Sequence, residues 1–341
     1  MKITIDTELS VRAKRIMLAL GIPAIVLGGG AVAYASVKHT FTMGDKLSAQ
    51  FMNDNFVDLD ARLAKVEGVP ECPPGYLRDM SAPKIVLCKK DNDEVVRVGT
   101  GNVAFWIDRY EASVWSDAKG TTGVMKDVPY GNTFFAPNYP STFPKNGQVV
   151  DPANLLYAVS RAGVAVSVDI TWFQAALACE ASGKRLPTGN EWLRAARGTP
   201  DPGSSDGSAG ACLTNAATKR NTGATNADMN CARVWGAQDL IGNIEEWTAE
   251  WYASVGGASD FGVPLTPWPA SYAGDVIYNI VSAPGTDGGA SVKGLPAAGV
   301  RGGGFNPGFN GGTRAGVFYL NLNLAPSFQG GYGGFRCMIP R

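Results

Sequence analysis

The sequence predicts a folded, loop-rich domain that mixes strands with two helices and stands behind a distinct amino-terminal region. Three observations predict it. Hydrophobic residues at 45% of 341 are ample for a packed core. The 43 glycines and 21 prolines place much of the backbone in turns and loops. Strand-like Val103-Ala-Phe-Trp-Ile107 and two capping boxes, Thr171-x-x-Gln174 and Thr188-x-x-Glu191, mark the regular elements.

In chain order, Arg12, Lys14 and Arg15 precede an uncharged run of 22 residues, Ile16 to Val37, long enough to cross a bilayer as a helix. Ala33-Tyr34-Ala35 fits a cleavage site, and Pro23 with Gly28-Gly29-Gly30 weakens a continuous span. Residues 1–37 are therefore either a cleavable signal peptide or an uncleaved membrane anchor through 16–37. Both imply export to the cell envelope or beyond. Six cysteines, all downstream, agree with an oxidising compartment. Sequence neighbours suggest the pairs Cys72 with Cys88 and Cys212 with Cys231, leaving Cys179 with Cys337, although six cysteines allow about 15 connectivities.

Apolar residues Ala49, Met52, Phe56, Leu59, Leu63 and Val66 recur at spacings of 3 and 4, which predicts a helical stalk over 44–68. It is either a short coiled coil, giving a homo-oligomer, or an amphipathic helix packed on its own domain. Pro70, Pro73, Pro74 and Gly75 end it and lead into a disulfide hairpin module over 69–97. From 98 to 341 the chain reads as one domain. In its first helix Trp172, Ala175, Ala176 and Cys179 share a face, and in its second Trp192, Ala195 and Ala196 point inward. The segment Ala253 to Gly299 is too long for a connection and too aromatic for a linker, so an ordered, irregular insertion is expected.

Charge and histidine content remove several functions. With 30 basic and 30 acidic residues the net charge is zero, so nucleic acid is not an expected partner. The lone histidine, His39, excludes a three-histidine metal site and is a poor member of a Ser-His-Asp triad.

Four segments carry a resemblance: Phe105-Trp-Ile-Asp-Arg-Tyr-Glu-Ala-Ser113, Gly183-Lys-Arg-Leu-Pro-Thr-Gly-Asn-Glu-Trp192, Asp239-Leu-Ile-Gly-Asn-Ile-Glu-Glu-Trp-Thr248, and Arg301-Gly-Gly-Gly-Phe305 with Gly334-Phe-Arg-Cys337. Together they resemble the sulfatase-modifying-factor domain of formylglycine-generating enzymes. The resemblance implies an α+β, C-type-lectin-like fold. Oxidase members carry two copper-binding cysteines between the Arg-Gly-Gly and Gly-Phe-Arg motifs, whereas here Arg301 to Arg336 contains no Cys, Met or His. The iron-dependent relatives need histidines that are also missing. The expected reading is thus non-catalytic, with Asp108, Glu111, Arg185 and Glu191 as framework ion pairs and caps, and a formylglycine-generating-type oxidase as the alternative. The calcium loop of the family maps onto Asp239 and Glu246 by carboxylate and Gly242 and Ile244 by carbonyl, which implies a structural calcium ion.

The stretch Glu191 to Gly203, the Cys212 to Cys231 loop and the ending of the chain look most like the variable C-type-lectin proteins diversified by retroelements. That likeness implies a ligand-binding face made of Gly304, Asn306, Pro307, Phe309, Asn310, Tyr319, Asn321, Leu322, Asn323, Phe328, Gln329, Gly331 and Tyr332. Aromatics among Asn and Gly are the chemistry of antibody-like loops. Alternation through Phe318-Tyr-Leu-Asn-Leu-Asn323 predicts that Tyr319, Asn321 and Asn323 face outward. The expected function is that of an exported or membrane-tethered, receptor-like protein with an unknown protein or glycan ligand; a structural envelope component is a third reading.

Overall fold

A computed structural model describes residues 70–199, 212–223, 231, 234–252, 277–278 and 297–340, with backbone alone at 277, 278 and 323. The signal or anchor segment, the 44–68 stalk and nearly all of the 253–299 insertion lie outside the described residues. Among the described residues no helix is long and apolar enough to cross a membrane.

Two compact units divide the chain, Met1–Arg78 and Asp79–Arg341. In the first, the Tyr76 N–H donates to the Pro73 carbonyl at 3.0 Å, a turn that runs into strand β1 (Leu77–Asp79). The second begins with a hairpin, β2 (Leu87–Lys90) and β3 (Asp93–Val98). Asp91 turns it in the left-handed region, at φ 52°, as a two-residue hairpin loop requires. The hairpin is not a separate module. β3 pairs antiparallel with β4 (Phe105–Asp108), and β4 with the carboxyl-terminal β12 (Met338–Ile339), so the hairpin is part of the domain's own sheet. Leu87, Val96 and Ile107 explain this, because their buried side chains join one core cluster with Trp192, Leu240 and Met338.

A small ladder, β5 (Ser113–Trp115) with β6 (Tyr157–Val159), leads to the helices α1 (Trp172–Ala181) and α2 (Gly189–Ala196). Both capping boxes form: Thr171 accepts from the Gln174 N–H at 3.1 Å, and Thr188 from the Glu191 N–H at 3.2 Å. On α1, Ala175, Ala178 and Cys179 are buried; on α2, Trp192, Ala195 and Ala196 are. The larger sheet has the order β11-β7-β9-β10-β8, from β7 (Glu245–Tyr252), β8 (Ile277–Tyr278), β9 (Ala297–Gly302), β10 (Gly316–Leu324) and β11 (Gly333–Phe335). Its Trp247 and Phe335 pack with Ile170 and the α1 alanines in a second core cluster.

Buried charges bind these layers. Lys184, with no side-chain exposure, places Nζ 2.7 Å from Asp93 Oδ1 and 2.6 Å from Asp108 Oδ1, and Asp108 Oδ2 accepts from the Cys337 N–H. Burial, against the pull of Lys184, pushes the Asp108 carboxyl up to about 7, since one ammonium serves two carboxylates. Arg336 is fully buried and donates from Nε to both Glu246 oxygens at 2.8 Å, while Trp192 Nε1 donates to Glu246 Oε2 at 2.7 Å. Arg185 meets Glu191 in a bidentate pair at 2.7 and 2.8 Å. The concentrated polar residues of the motifs are therefore structural ties among buried elements. Disulfides Cys179–Cys337 and Cys212–Cys231 are formed, and Cys72 and Cys88 are also disulfide-bonded.

The Arg-Gly-Gly turn has a steric cause. Gly302 and Gly303 sit at φ 89° and 75°, and a Cβ on Gly303 would stand 2.6 Å from Ala315 Cα and 2.7 Å from the Asn310 carbonyl. Only glycine lets this turn close against the segment that follows it.

Candidate ligand-binding site

The carboxyl-terminal segment leaves β9 at Gly302, loops through 303–315, returns as β10 and loops again through 325–332 before β11. The two loops meet through their aromatic rings. Tyr332 stacks on Phe309 with centroids 5.1 Å apart, and meets Phe305 at 5.6 Å and Phe135 at 6.0 Å. Asn306 Nδ2 donates to the Tyr332 hydroxyl at 3.3 Å, and Gln329 Nε2 to the Asp169 carbonyl at 2.6 Å.

Between the loops lies a cavity of about 330 Å³. Its mouth is aromatic: Phe309 is 55% exposed, Phe135 is 70% exposed, and Phe328 and Tyr332 are half-buried. Its floor is polar, from Glu245, Tyr319 and Asn321. The Tyr319 hydroxyl donates to the Glu245 carboxylate, and the Asn321 amide also acts on it. Burial nonetheless holds the Glu245 carboxyl above the ordinary carboxylate range.

The thirteen expected binding residues divide. Pro307 and Phe309 are exposed, and Asn306, Phe328, Gln329 and Tyr332 are half-buried. Gly304, Asn310, Leu322 and Gly331 are buried. The side chain of Asn323 lies outside the described residues. The outward assignment of Tyr319 and Asn321 is corrected, for they are 0% and 6% exposed. Burial does alternate over Phe318–Asn321, but with the faces reversed: Tyr319 and Asn321 lie on the side that meets Glu245 of β7, and Phe318 and Leu320 are half-buried on the other. Their polar tips are satisfied by Glu245, so burial costs them no unmet hydrogen bond.

Sequence reasoning missed Phe135 and Glu245. Phe135 arrives from a loop distant in sequence and carries no motif. Its φ of 52° is rare for a bulky residue and is held by its N–H donating to Asp169 Oδ2 at 2.6 Å. Glu245 sits inside the Asn-Ile-Glu-Glu-Trp motif, where only its neighbour Glu246 drew attention.

Of the expected calcium donors, both carboxylates are engaged by other partners. Asp239 is ion-paired with Arg220, and Glu246 is occupied by Arg336 and Trp192. Asn243, between Gly242 and Ile244, donates to Glu111 at 2.5 Å, and the Ile244 N–H donates to the same carboxylate, which is the wiring of a tight turn. Among the described residues no group of three or more His, Cys, Asp or Glu side chains could hold a metal. A copper thiolate site is likewise unsupported by the residues present, because every cysteine is disulfide-bonded.

The elements thus define a disulfide-bonded, loop-rich α+β head with a pocket on its carboxyl-terminal face. The chain belongs to the sulfatase-modifying factor enzyme 1-like domain family, whose model matches residues 162–340. Among solved structures it is similar to the Major Tropism Determinant P3c variant, at 21% identity and TM-score 0.42 over 78% of this chain and 55% of that one. The I1 variant matches at 23% identity and TM-score 0.38, over 69% and 50%. The U1 variant matches at 24% and 0.37, also over 69% and 50%. This chain spans about half the length of those structures. No curated protein matches it.

Proposed function

We propose that this chain is a non-catalytic, receptor-like ligand-binding protein, exported and either tethered to the membrane or secreted, whose carboxyl-terminal face takes a protein or glycan ligand. The pocket carries this reading. It is lined mainly by residues of the 301–337 segment, joined by Phe135 and Glu245, with rigid aromatics at the mouth and hydrogen-bonding groups at the floor, the usual division of labour in a recognition site. Export is supported by the apolar run 16–37 and by the disulfides. Exposed Phe309 and Pro307 and half-buried Asn306 stand at the surface, where substitution changes contacts without opening the core.

The test uses the full chain, immobilised and offered arrays of surface proteins and glycans. Wild type should retain at least one component, and the pair Asn306→Ala with Phe309→Ala should lower that retention tenfold or more at an unchanged melting temperature. Retention indifferent to the pair would overturn the reading. Family membership favours a second one, formylglycine-generating oxidation, which copper-dependent oxidation of a cysteine peptide by this chain would establish.

The face is also proposed to be diversified. Sequencing codons 301–337 and their flanks from many cells should show substitutions confined to adenine-templated codons, with a near-copy of the segment nearby. An invariant segment without a copy would leave a binding domain of fixed specificity.

A further inference from the structure

Glu245 is the unusual group on this face. It is 3% exposed, lines the cavity, and among the described residues is acted on by neutral groups, the Tyr319 hydroxyl and the Asn321 amide. Among the described residues no lysine or arginine pairs with it, whereas the buried carboxylates of Asp108 and Glu246 meet Lys184 and Arg336; Glu111, also buried and held by neutral donors, lies away from the cavity lining. A buried carboxylate is costly without a counter-charge, so Glu245 favours a cation that reaches the pocket. The walls point the same way. Phe309, Phe328, Phe135 and Tyr332 surround the entrance, and aromatic faces attract organic cations through their quadrupoles. Phe135 is held at this rim in a strained left-handed backbone conformation, which the fold maintains although its ring is largely in solvent.

We infer that the pocket is a specificity site for a cationic side chain, a lysine ammonium or arginine guanidinium of a protein ligand, with Glu245 as the counter-charge and the four aromatics as its cage. The inference rests on the reading of this face as the binding surface and deepens it, because it selects a protein ligand with an exposed basic residue over a neutral glycan. Raising of the Glu245 carboxyl by burial agrees, because an arriving cation offsets the penalty that burial places on the charged form.

The test is a ligand-observed NMR titration of the full chain with Nα-acetyl-lysine and Nα-acetyl-arginine methylamides. Their neutral near-isosteres, the norleucine and citrulline methylamides, are the comparators. The cationic pair should bind saturably and at least tenfold more tightly than the neutral pair. Glu245→Gln should erase that preference, and Phe309→Ala should weaken cation binding severalfold. Equal binding of charged and neutral probes to wild type, binding of neither, or a preference that survives in a folded Glu245→Gln variant would each overturn the inference. The wild-type comparison stands whether or not the variant folds. Array retention reports the face as a whole and the methylamides report the pocket alone. Retention abolished by the Asn306/Phe309 pair without charge discrimination would therefore sink this inference and leave the functional reading in place.

Discussion

Replacing Arg336 by methionine will lower the stability of the domain by about 3–5 kcal/mol, the loss expected when one partner of a buried ion pair is removed. The guanidinium is fully buried. It donates to both oxygens of Glu246 and to the carbonyls of Asp108, at 3.1 Å, and Gln238, at 2.7 Å. Methionine fills much of the same volume but leaves Glu246 charged and buried, with Trp192 Nε1 as its remaining donor among those contacts. Urea denaturation followed by tryptophan fluorescence should show the midpoint falling by roughly 1 M or more. Adding Glu246→Leu should recover a large part of the loss, because the penalty lies in the orphaned charge rather than in the missing attraction. A single variant within about 0.5 kcal/mol of wild type would mean that the pair does not tie these layers. Rate measurements on any ligand are not needed for this result.

Loss of the Cys179–Cys337 bridge, by serine at both positions, will cost more than loss of Cys212–Cys231. The first links residues 158 apart and the second residues 19 apart. A cross-link restricts the unfolded chain in proportion to the logarithm of the loop it closes, giving about 5 kcal/mol for the longer and about 3 for the shorter. The Cys179–Cys337 bridge also joins α1 to the residue preceding β12, beside the Asp108 carboxylate that accepts the Cys337 N–H at 2.8 Å. Its removal therefore loosens the point where the end of the chain returns to its first sheet. Thermal unfolding of the two double-serine variants checks the order. Equal losses, or a larger loss at Cys212–Cys231, would show that the cross-link acts through native-state contacts instead of through the unfolded chain.

For function the two predictions have a common meaning. The charged motif residues Arg336, Lys184 and Arg185 hold Glu246, Asp108 and Glu191 within the framework. These ties fix the elements that flank the loops at 303–315 and 325–332, the loops of the proposed binding face.

Both capped helices and the inward face of α2 were legible in the sequence alone; on α1 the expected face held at Ala175 and Cys179 while Trp172 and Ala176 are half-buried, and the suggested Cys179–Cys337 and Cys212–Cys231 pairs needed the structure to choose them. Capping depends on residues three apart, and helix faces follow from a period that any helix must obey. The motif set likewise indicated the family, because its members are contiguous short segments. Tertiary structure decided the rest. Whether Tyr319 and Asn321 point to solvent depends on what covers β10, and β8 pairs with it from a distant stretch of chain. Whether Asp239 and Glu246 are free to hold an ion depends on Arg220 and Arg336, which lie 19 and 90 residues away in sequence. The pocket itself gathers Phe135, Glu245 and Tyr332 from three separate segments. Local patterns fix faces and caps, but the partner of a buried charge is set by long-range packing, and it is there that this protein separates its framework from its binding site.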